Sequence, residues 1–103
     1  MIEILQTEEY AKWFVKLKDR AAKARIDIRI RRVSLDNFGD VETVGSGVSE
    51  LRISYGPGYR VYFTQKGERL VILLIGGDKS TQIRDIEKAK QIAEDLKRQE
   101  YEN

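Results

Sequence analysis

Apolar and polar positions alternate along two runs in the middle of the chain, on either side of Gly56-Pro57-Gly58. The apolar positions are Leu51, Ile53 and Tyr55 in the first run and Tyr59, Val61 and Phe63 in the second. A period of two residues is typical of strands with one buried face. Because a one-residue slip turns every side chain to the other face, the loop between the strands must have an odd length, and Gly56 to Gly58 fits.

This loop length predicts which residues meet across the hairpin. On the buried face, Ile53 is expected opposite Val61, and Leu51 opposite Phe63. The other face is expected to carry Arg52, Ser54, Arg60 and Tyr62.

A third strand is predicted from Leu70 to Ile75, which is apolar at every position and therefore fits a strand buried on both faces. Lys66-Gly67 reads as a two-residue turn before it. That turn predicts two further pairs, Val61 with Ile72 and Phe63 with Leu70. Beyond Gly76-Gly77, the chain returns toward the first turn and brings Lys79 near the arginines, so the register predicts a cationic cleft.

Helical periodicity marks three further segments. Thr7 is expected to cap a helix with an apolar stripe of Tyr10, Trp13, Phe14 and Leu17. Asp19 is expected to cap a second helix with Ala22, Ile26, Ile30 and Val33 on one face. Ser80 or Thr81 is expected to cap the last helix, whose inward stripe is Ile83, Ile86, Ala89, Ala93 and Leu96.

The remaining segments are a short strand predicted at Ile2 to Gln6 and a loop predicted from Asp36 to Gly47. The element order is then β-α-α-β-β-β-α. It predicts one α+β domain over residues 1–103, with a small, mostly antiparallel four-stranded sheet, a helical hairpin on one face and a C-terminal helix.

Composition removes several kinds of chemistry. The 103 residues include no cysteine and no histidine, which excludes disulfides, thiol nucleophiles, imidazole acid–base catalysis and almost every transition-metal site. We therefore expect no metal and no cofactor. No apolar run approaches the length of a membrane span, and Met1 leads into Ile2-Glu3-Ile4-Leu5 without a signal segment, so a cytoplasmic location is expected.

Charge is distributed unevenly along the chain, although the net charge is only +2. The segment from Lys16 to Arg32 contains Asp19 and Asp27 as its acids, against Lys16, Lys18, Arg20, Lys23, Arg25, Arg29, Arg31 and Arg32. Such a surface suits a polyanionic partner. The alternative is a solvated helix face.

Four motifs together carry a family resemblance: Gly47-Val-Ser-Glu-Leu-Arg-Ile, Gly56-Pro-Gly-Tyr-Arg-Val-Tyr-Phe, Gly76-Gly-Asp-Lys-Ser-Thr-Gln and Asp85-Ile-Glu-Lys-Ala. Over nearly its whole length the chain resembles the RelE/ParE superfamily of type II toxin–antitoxin toxins, in particular the HigB-like branch of addiction module killer proteins. The resemblance implies a RelE-like fold and a ribosome-dependent mRNA endoribonuclease, an mRNA interferase that inhibits translation. It also implies mRNA, the ribosome and an acidic, DNA-binding antitoxin as partners.

In such folds the 2′-hydroxyl of the RNA is the nucleophile, and the protein must neutralise the phosphorane and move two protons. Arg60 and Arg52 suit the charge role, and Lys79 suits either a second phosphate clamp or a base. The expected catalytic residues are therefore Arg60, Lys79 and Arg52. The expected substrate-binding residues are Ser54, Tyr62, Arg25, Arg29 and Arg32.

The acid and base remain open. Superfamily members place a tyrosine or histidine near the last helix, where this chain has Ile83 and Arg84, and relatives often carry a histidine at the position of Ser54. The candidates are Lys79, Asp78, Glu50 and Tyr62.

Two other functions are compatible with the sequence: a ParE-like toxin that inhibits DNA gyrase, and a silent member that only binds an antitoxin or RNA. A ribonuclease needs Arg52, Arg60 and Lys79 within reach of one phosphate, whereas a gyrase inhibitor needs a protein-docking surface and no convergent cations. In the silent case, Arg60 simply pairs with Glu50.

Overall fold

The computed structural model describes the backbone of residues 1–102 and the side chains of residues 1–100. Within that part of the chain, five strands and three helices form one α+β unit. They are β1 (Glu3–Gln6), α1 (Glu8–Lys16), α2 (Arg20–Ser34), β2 (Val41–Gly45), β3 (Val48–Ile53), β4 (Tyr59–Lys66), β5 (Leu70–Asp78) and α3 (Gln82–Glu102). A short 3₁₀ turn, Lys79–Thr81, joins β5 to α3.

The sheet order is β1-β5-β4-β3-β2. β1 lies parallel to β5, and every other neighbouring pair is antiparallel. The α+β class is confirmed, but the prediction of four strands is wrong.

The additional strand is β2, which lies inside the segment predicted as a loop. It pairs with β3 through a turn in which Ser46 and Gly47 both have positive φ, 56° and 74°. Two such residues in succession match the right-handed twist of a hairpin. β2 is an edge strand.

The register of the β3–β4 hairpin differs from the prediction by two residues. Leu51 pairs with Val61 and Ile53 with Tyr59, so the connection is Ser54 to Gly58 rather than Gly56 to Gly58. Because two residues are one full period of a strand, the shift leaves the side chains within β3 and β4 on their predicted faces. The apolar face is confirmed: Leu51, Ile53, Val61 and Phe63 share one core.

The β4–β5 register also differs. Lys66 pairs with Leu70, which leaves the three-residue turn Gly67 to Arg69. Phe63 then lies opposite Leu73, and a bulge follows between that pair and the pair of Tyr62 with Ile75. The predicted pairs Val61–Ile72 and Phe63–Leu70 are wrong.

Helices cover both faces of the sheet, as the apolar β5 predicted. On one face, α1 and α2 pack Tyr10, Ile26 and Val33 against the Leu51–Val61 core, with Trp13, Phe14 and Leu17 at its edge. On the other face, α3 packs Ala89, Ile92 and Ala93 against Val48, Tyr62, Leu74 and Ile75. The stripe predicted for α3 is wrong at its first position, because Ile83 is 81% exposed.

The helix starts follow from capping side chains. Thr7 Oγ1 accepts a hydrogen bond from Tyr10 N at 3.0 Å, and Asp19 Oδ1 accepts from Ala21 N at 2.9 Å, as predicted. At the third helix the prediction of Ser80 or Thr81 is wrong. Asp78 caps the 3₁₀ turn instead, accepting from Ser80 N at 2.8 Å. Among the described residues, no helix has both the length and the hydrophobicity needed to cross a bilayer.

Candidate functional site

A buried carboxylate, Glu50, lies at the centre of the polar cluster on the α3 side of the sheet. Its side chain is 1% exposed. One oxygen accepts hydrogen bonds from Tyr62 Oη at 3.0 Å and Gln82 Nε2 at 2.8 Å, and the other accepts from Arg52 Nε at 3.0 Å. The register explains the first contact, because Tyr62 is the direct cross-strand partner of Glu50. Glu50 thus joins β3, β4 and α3.

The two arginines predicted to be catalytic lie side by side. Arg52 pairs with Arg60 across β3 and β4, and like charges in that position destabilise a sheet. Glu50 relieves the repulsion, since its Oε1 also lies 3.8 Å from Arg60 Nε. Arg60 is further held by a hydrogen bond from Nη1 to Gly58 O at 2.9 Å, and its side chain is only 13% exposed.

The hydrogen bonds set the ionisation of this cluster. Burial alone would raise the pKa of Glu50, but hydrogen bonds from Gln82, Arg52 and Tyr62 and the charge of Arg60 outweigh burial, and the pKa lies below its ordinary value. Burial and the hydrogen bond to Glu50 raise the pKa of Tyr62. At neutral pH Glu50 is therefore a carboxylate and Tyr62 a donor.

The cluster is less cationic than the register predicted. Arg52 is 36% exposed and forms a second ion pair with Glu42 on β2, whose side chain is 58% exposed. Two carboxylates, Glu42 and Glu50, therefore counter the two arginines. A third cation at this end of the sheet comes from outside the Glu50 cluster.

Lys79 supplies one such charge. It is exposed and follows directly on β5, beside the turn that precedes Arg60. A Cβ atom on Gly58 would lie 3.3 Å from Arg60 Nη1 and 3.6 Å from Lys79 Cβ. Gly58 has a φ of +79°, which favours glycine. The turn thus brings Lys79 and Arg60 to the same surface.

Two glycines let the helices approach the end of β5. A Cβ on Gly77 would lie 1.8 Å from Asp85 Oδ2, and one on Gly76 would lie 2.2 Å from the Trp13 ring. Asp85 is 6% exposed and accepts a hydrogen bond from the Thr81 hydroxyl. Because Gly77 is the cross-strand partner of Arg60, this close approach places the start of α3, including Gln82, over the arginine cluster.

The structure separates the other predicted binding residues from this cluster. Ser54 lies beyond the end of β3 and lines a small cavity with Arg25, Arg29 and Arg32 of α2, so the prediction that it shares a face with Arg60 is wrong. Arg29 donates to Phe38 O at 2.9 Å and Asp40 O at 3.3 Å, and also to Arg52 O. Its donors are therefore used to hold α2 against the sheet.

Tyr62 is also a structural residue. It is 0% exposed, so its hydroxyl reaches Glu50 and no surface ligand. The predicted substrate contact by Tyr62 does not fit this position.

Three residues of the cluster were not predicted: Glu42, Gln82 and Asp85. Glu42 and Gln82 leave no signal in the sequence, because nothing in the pattern places a loop residue or a first-turn glutamine beside Glu50. Asp85 had an indirect signal, since a glycine inside a strand, here Gly77, often marks a close approach of another group. Among residues 1–100, no cluster of three or more potential ligand side chains is arranged to hold a metal ion.

Fold and site together define a small α+β protein with a charged cluster where β3, β4 and α3 meet. Residues 12–98 match the family described as Phage derived protein Gp49-like (DUF891). The chain therefore belongs to this family, which is of the addiction-module toxin type and is associated with an antitoxin partner. The chain is also 50% identical over 95 residues to a protein of Haemophilus influenzae, an alignment that covers 92% of this chain and 96% of that relative. The relative's name is "Uncharacterized protein".

Proposed function

We propose that the protein is the toxin of a type II toxin–antitoxin pair, of the HigB-like branch of the RelE/ParE superfamily. Its proposed activity is metal-independent cleavage of mRNA on the ribosome, which inhibits translation in the cytoplasm. One observation carries the proposal: Arg60 is held beside Arg52 where β4 begins, and Lys79 follows the end of β5 at the same turn.

The proposed reaction needs charge stabilisation and two proton transfers. The 2′-oxygen attacks the neighbouring phosphorus and loses its proton, and the bond from phosphorus to the 5′-oxygen breaks as that oxygen gains a proton. The products are a 2′,3′-cyclic phosphate and a 5′-hydroxyl. The phosphorane carries more charge than the starting diester, so a cation held at that position lowers the barrier.

Arg60 fits the charge role better than Arg52. Its guanidinium is held by Gly58 O at 2.9 Å and faces Glu50 at 3.8 Å, so little reorganisation is needed when substrate arrives. Arg52 is held between Glu42 and Glu50, and a phosphate must displace Glu42 to reach it. Arg52 therefore has a secondary part in binding.

In this proposal Lys79 in its neutral form takes the proton that the 2′-hydroxyl loses, and a water molecule supplies the proton that the leaving 5′-oxygen gains. Of the four acid–base candidates, Glu50 and Tyr62 are buried and hydrogen-bonded to each other. Asp78 is occupied by the cap of the 3₁₀ turn. Lys79 is exposed beside Arg60, where it can reach a substrate.

The proposed inhibitor is an acidic, DNA-binding antitoxin that covers either this cluster or the basic face of α2. The basic residues of α2 support this, because exposed cations steer acidic partners.

The test is single-turnover cleavage of mRNA on programmed ribosomes. Arg60→Ala should cut about a hundredfold more slowly than the wild type, the usual cost of removing one stabilising donor. Arg60→Lys should recover little of this rate, because an ammonium lacks the forked geometry of a guanidinium. Arg69→Ala is the matched control, since Arg69 is exposed in the turn at the opposite end of the β4–β5 hairpin, and it should cut at the wild-type rate.

A melting curve of each variant separates catalysis from folding. If Arg60→Ala cuts at the wild-type rate, or fails only because it no longer folds, the catalytic role of this cluster is wrong.

One observation favours a second function, the silent member that only binds its antitoxin or RNA. Both arginines are already paired with carboxylates. In that case the wild-type protein, expressed without antitoxin, leaves mRNA intact. Expression of the wild-type protein without antitoxin also tests gyrase inhibition, because a gyrase inhibitor leaves broken DNA bound to gyrase.

A further inference from the structure

We propose that the cavity between α2 and the start of the Ser54–Gly58 loop binds one unpaired nucleotide of an RNA strand, with the base stacked on Arg25 and the phosphate at Arg32. This proposal rests on the proposed function only in its choice of RNA as the ligand. It concerns a surface on the opposite side of the sheet from the Arg52–Arg60 cluster.

The cavity has a volume of about 230 Å³ and is lined by Arg25, Ile28, Arg29, Arg32, Ile53 and Ser54. It is smaller than the usual pockets for cofactors or drug-sized ligands, which start at about 300 Å³. Its lining combines guanidinium groups, a hydroxyl and two isoleucines, of which Ile28 is 50% exposed. That combination suits a ligand with a flat face and a negative charge.

Arg25 and Tyr55 form a platform at one end of the cavity. Arg25 Cζ lies 4.6 Å from the centre of the Tyr55 ring, a cation–π distance. Tyr55 is itself fixed, because its Oη donates to Asp19 Oδ2 at 3.1 Å. Arg25 is exposed, so its planar guanidinium is accessible to a second planar group.

The other arginines have different tasks. Arg29 forms the floor, with its donors on the carbonyl oxygens of Phe38, Asp40 and Arg52. Arg32 is exposed, and neither Arg25 nor Arg32 forms an ion pair with any residue that the structure describes. Arg32 is therefore available to a phosphate, and its forked donors suit one.

The loop connects this cavity to the proposed catalytic cluster. Ser54 and Tyr55 stand at its beginning, and Gly58, at its end, donates from N to Tyr55 O at 3.0 Å and accepts from Arg60 at 2.9 Å. A single strand that crosses the loop can contact both places. The cavity would then hold a nucleotide near, but not at, the scissile phosphate.

RNA fits the cavity better than an acidic peptide does. A carboxylate seeks the edge of a guanidinium, whereas Arg25 Cζ lies over the Tyr55 ring, and the exposed Ile28 lines the same cavity. Unpaired bases stack on aromatic rings and on arginine planes. A peptide of glutamates offers no planar group for this platform.

The test is binding of an RNA of about ten nucleotides, methylated at every 2′-oxygen so that it has no nucleophile, measured by fluorescence anisotropy. Arg25→Ala and Arg25→Lys should each weaken binding at least about fivefold, the lower bound expected for losing one stacked base. Arg31→Lys and Arg31→Ala are the matched controls on the same helix outside the cavity, and both should bind within about twofold of the wild type.

A second probe isolates the base. The same RNA with abasic sugars keeps every phosphate, and its weaker binding should not change between the wild type and Arg25→Lys. Wild-type affinity in Arg25→Lys for the normal RNA would show that only charge matters and would overturn the stacked nucleotide. Arg25-dependent binding of an oligoglutamate peptide, with RNA binding unchanged, would assign the surface to a protein partner and also overturn it.

These measurements do not depend on cleavage. If the Arg25 effects occur but the wild type never cuts mRNA, the cavity stands and the proposed function fails. If Arg60→Ala abolishes cleavage while the Arg25 variants bind RNA like the wild type, the proposed function stands and the nucleotide site in the cavity fails.

Discussion

Replacing Glu50 by glutamine should destabilise the protein strongly, although the two side chains have nearly the same shape. The carboxylate accepts from Arg52, Tyr62 and Gln82 and faces Arg60. An amide has one accepting oxygen, and its NH₂ group only donates. With its nitrogen at the Oε1 position the amide faces two guanidinium donors, whereas at the Oε2 position Tyr62 and Gln82 can turn to accept from it. In either orientation the buried negative charge between the arginines is lost.

The size of the effect follows from burial. Removing one partner of a buried ion pair costs about 3–5 kcal/mol. Water reaches Arg52, which is 36% exposed, more easily than Arg60, which is 13% exposed, so the lower end applies. A loss of about 3 kcal/mol in a domain of this size lowers Tm by about 12–24 °C.

The assay is urea unfolding at pH 7, with thermal unfolding alongside. Glu42→Gln is the matched control, because Glu42 also pairs with Arg52 but is 58% exposed, and it should cost less than about 1 kcal/mol. If Glu50→Gln is as stable as Glu42→Gln, the view that Glu50 holds the cluster together is wrong.

Two further predictions follow from the same region. The pKa of Glu50 lies below its ordinary value, so its contribution to stability is present above the unfolded pKa of about 4.3 and is lost as the pH falls through the folded pKa. Urea unfolding between pH 7 and about 3 should therefore show a smaller fall in the free energy of unfolding for Glu50→Gln than for the wild type. An equal fall with pH in the two proteins would contradict this. Gly77→Ala should cost about 2–3 kcal/mol, because the new Cβ would lie 1.8 Å from Asp85 Oδ2. Gly67→Ala, where the space is open and only the φ of +62° is unfavourable, should cost about 1 kcal/mol in the same denaturation assay, and equal losses in the two variants would remove the steric argument.

The faces of β3 and β4 could be predicted from sequence, but their register could not. Alternation fixes only whether a side chain points up or down, so pairings that differ by two residues satisfy it equally. The length of the Ser54–Gly58 connection decides between them, and Gly56-Pro57-Gly58 alone suggested a shorter loop. Alternation therefore predicts correctly that Arg52 and Arg60 share a face. It fails for Ser54, because β3 ends at Ile53 and the alternation of a strand no longer applies.

β2 was missed because an edge strand needs little apolar pattern. Val41 is exposed and Val44 only half-buried, and the two are three positions apart, which breaks a period of two. β2 is held in the sheet by its antiparallel backbone pairing with β3. The central role of Glu50 is only partly predictable from sequence. Its pairing with Arg60 follows from the hairpin, whereas its hydrogen bond from Gln82 depends on where α3 begins, which the pattern does not fix.

The parallel pairing of β1 with β5 has a consequence for the order of folding. Glu3 pairs with Leu70, and Thr7 Oγ1 donates to Leu74 O at 2.6 Å across 67 positions of sequence. The other strands follow one another through short turns, so they can pair locally, whereas β1 must close a long loop first. During synthesis β1 leaves the ribosome before its partner has been made. We therefore expect the N-terminal strand to join the sheet last, which leaves the outer edge of β5 open to strands of other chains until then.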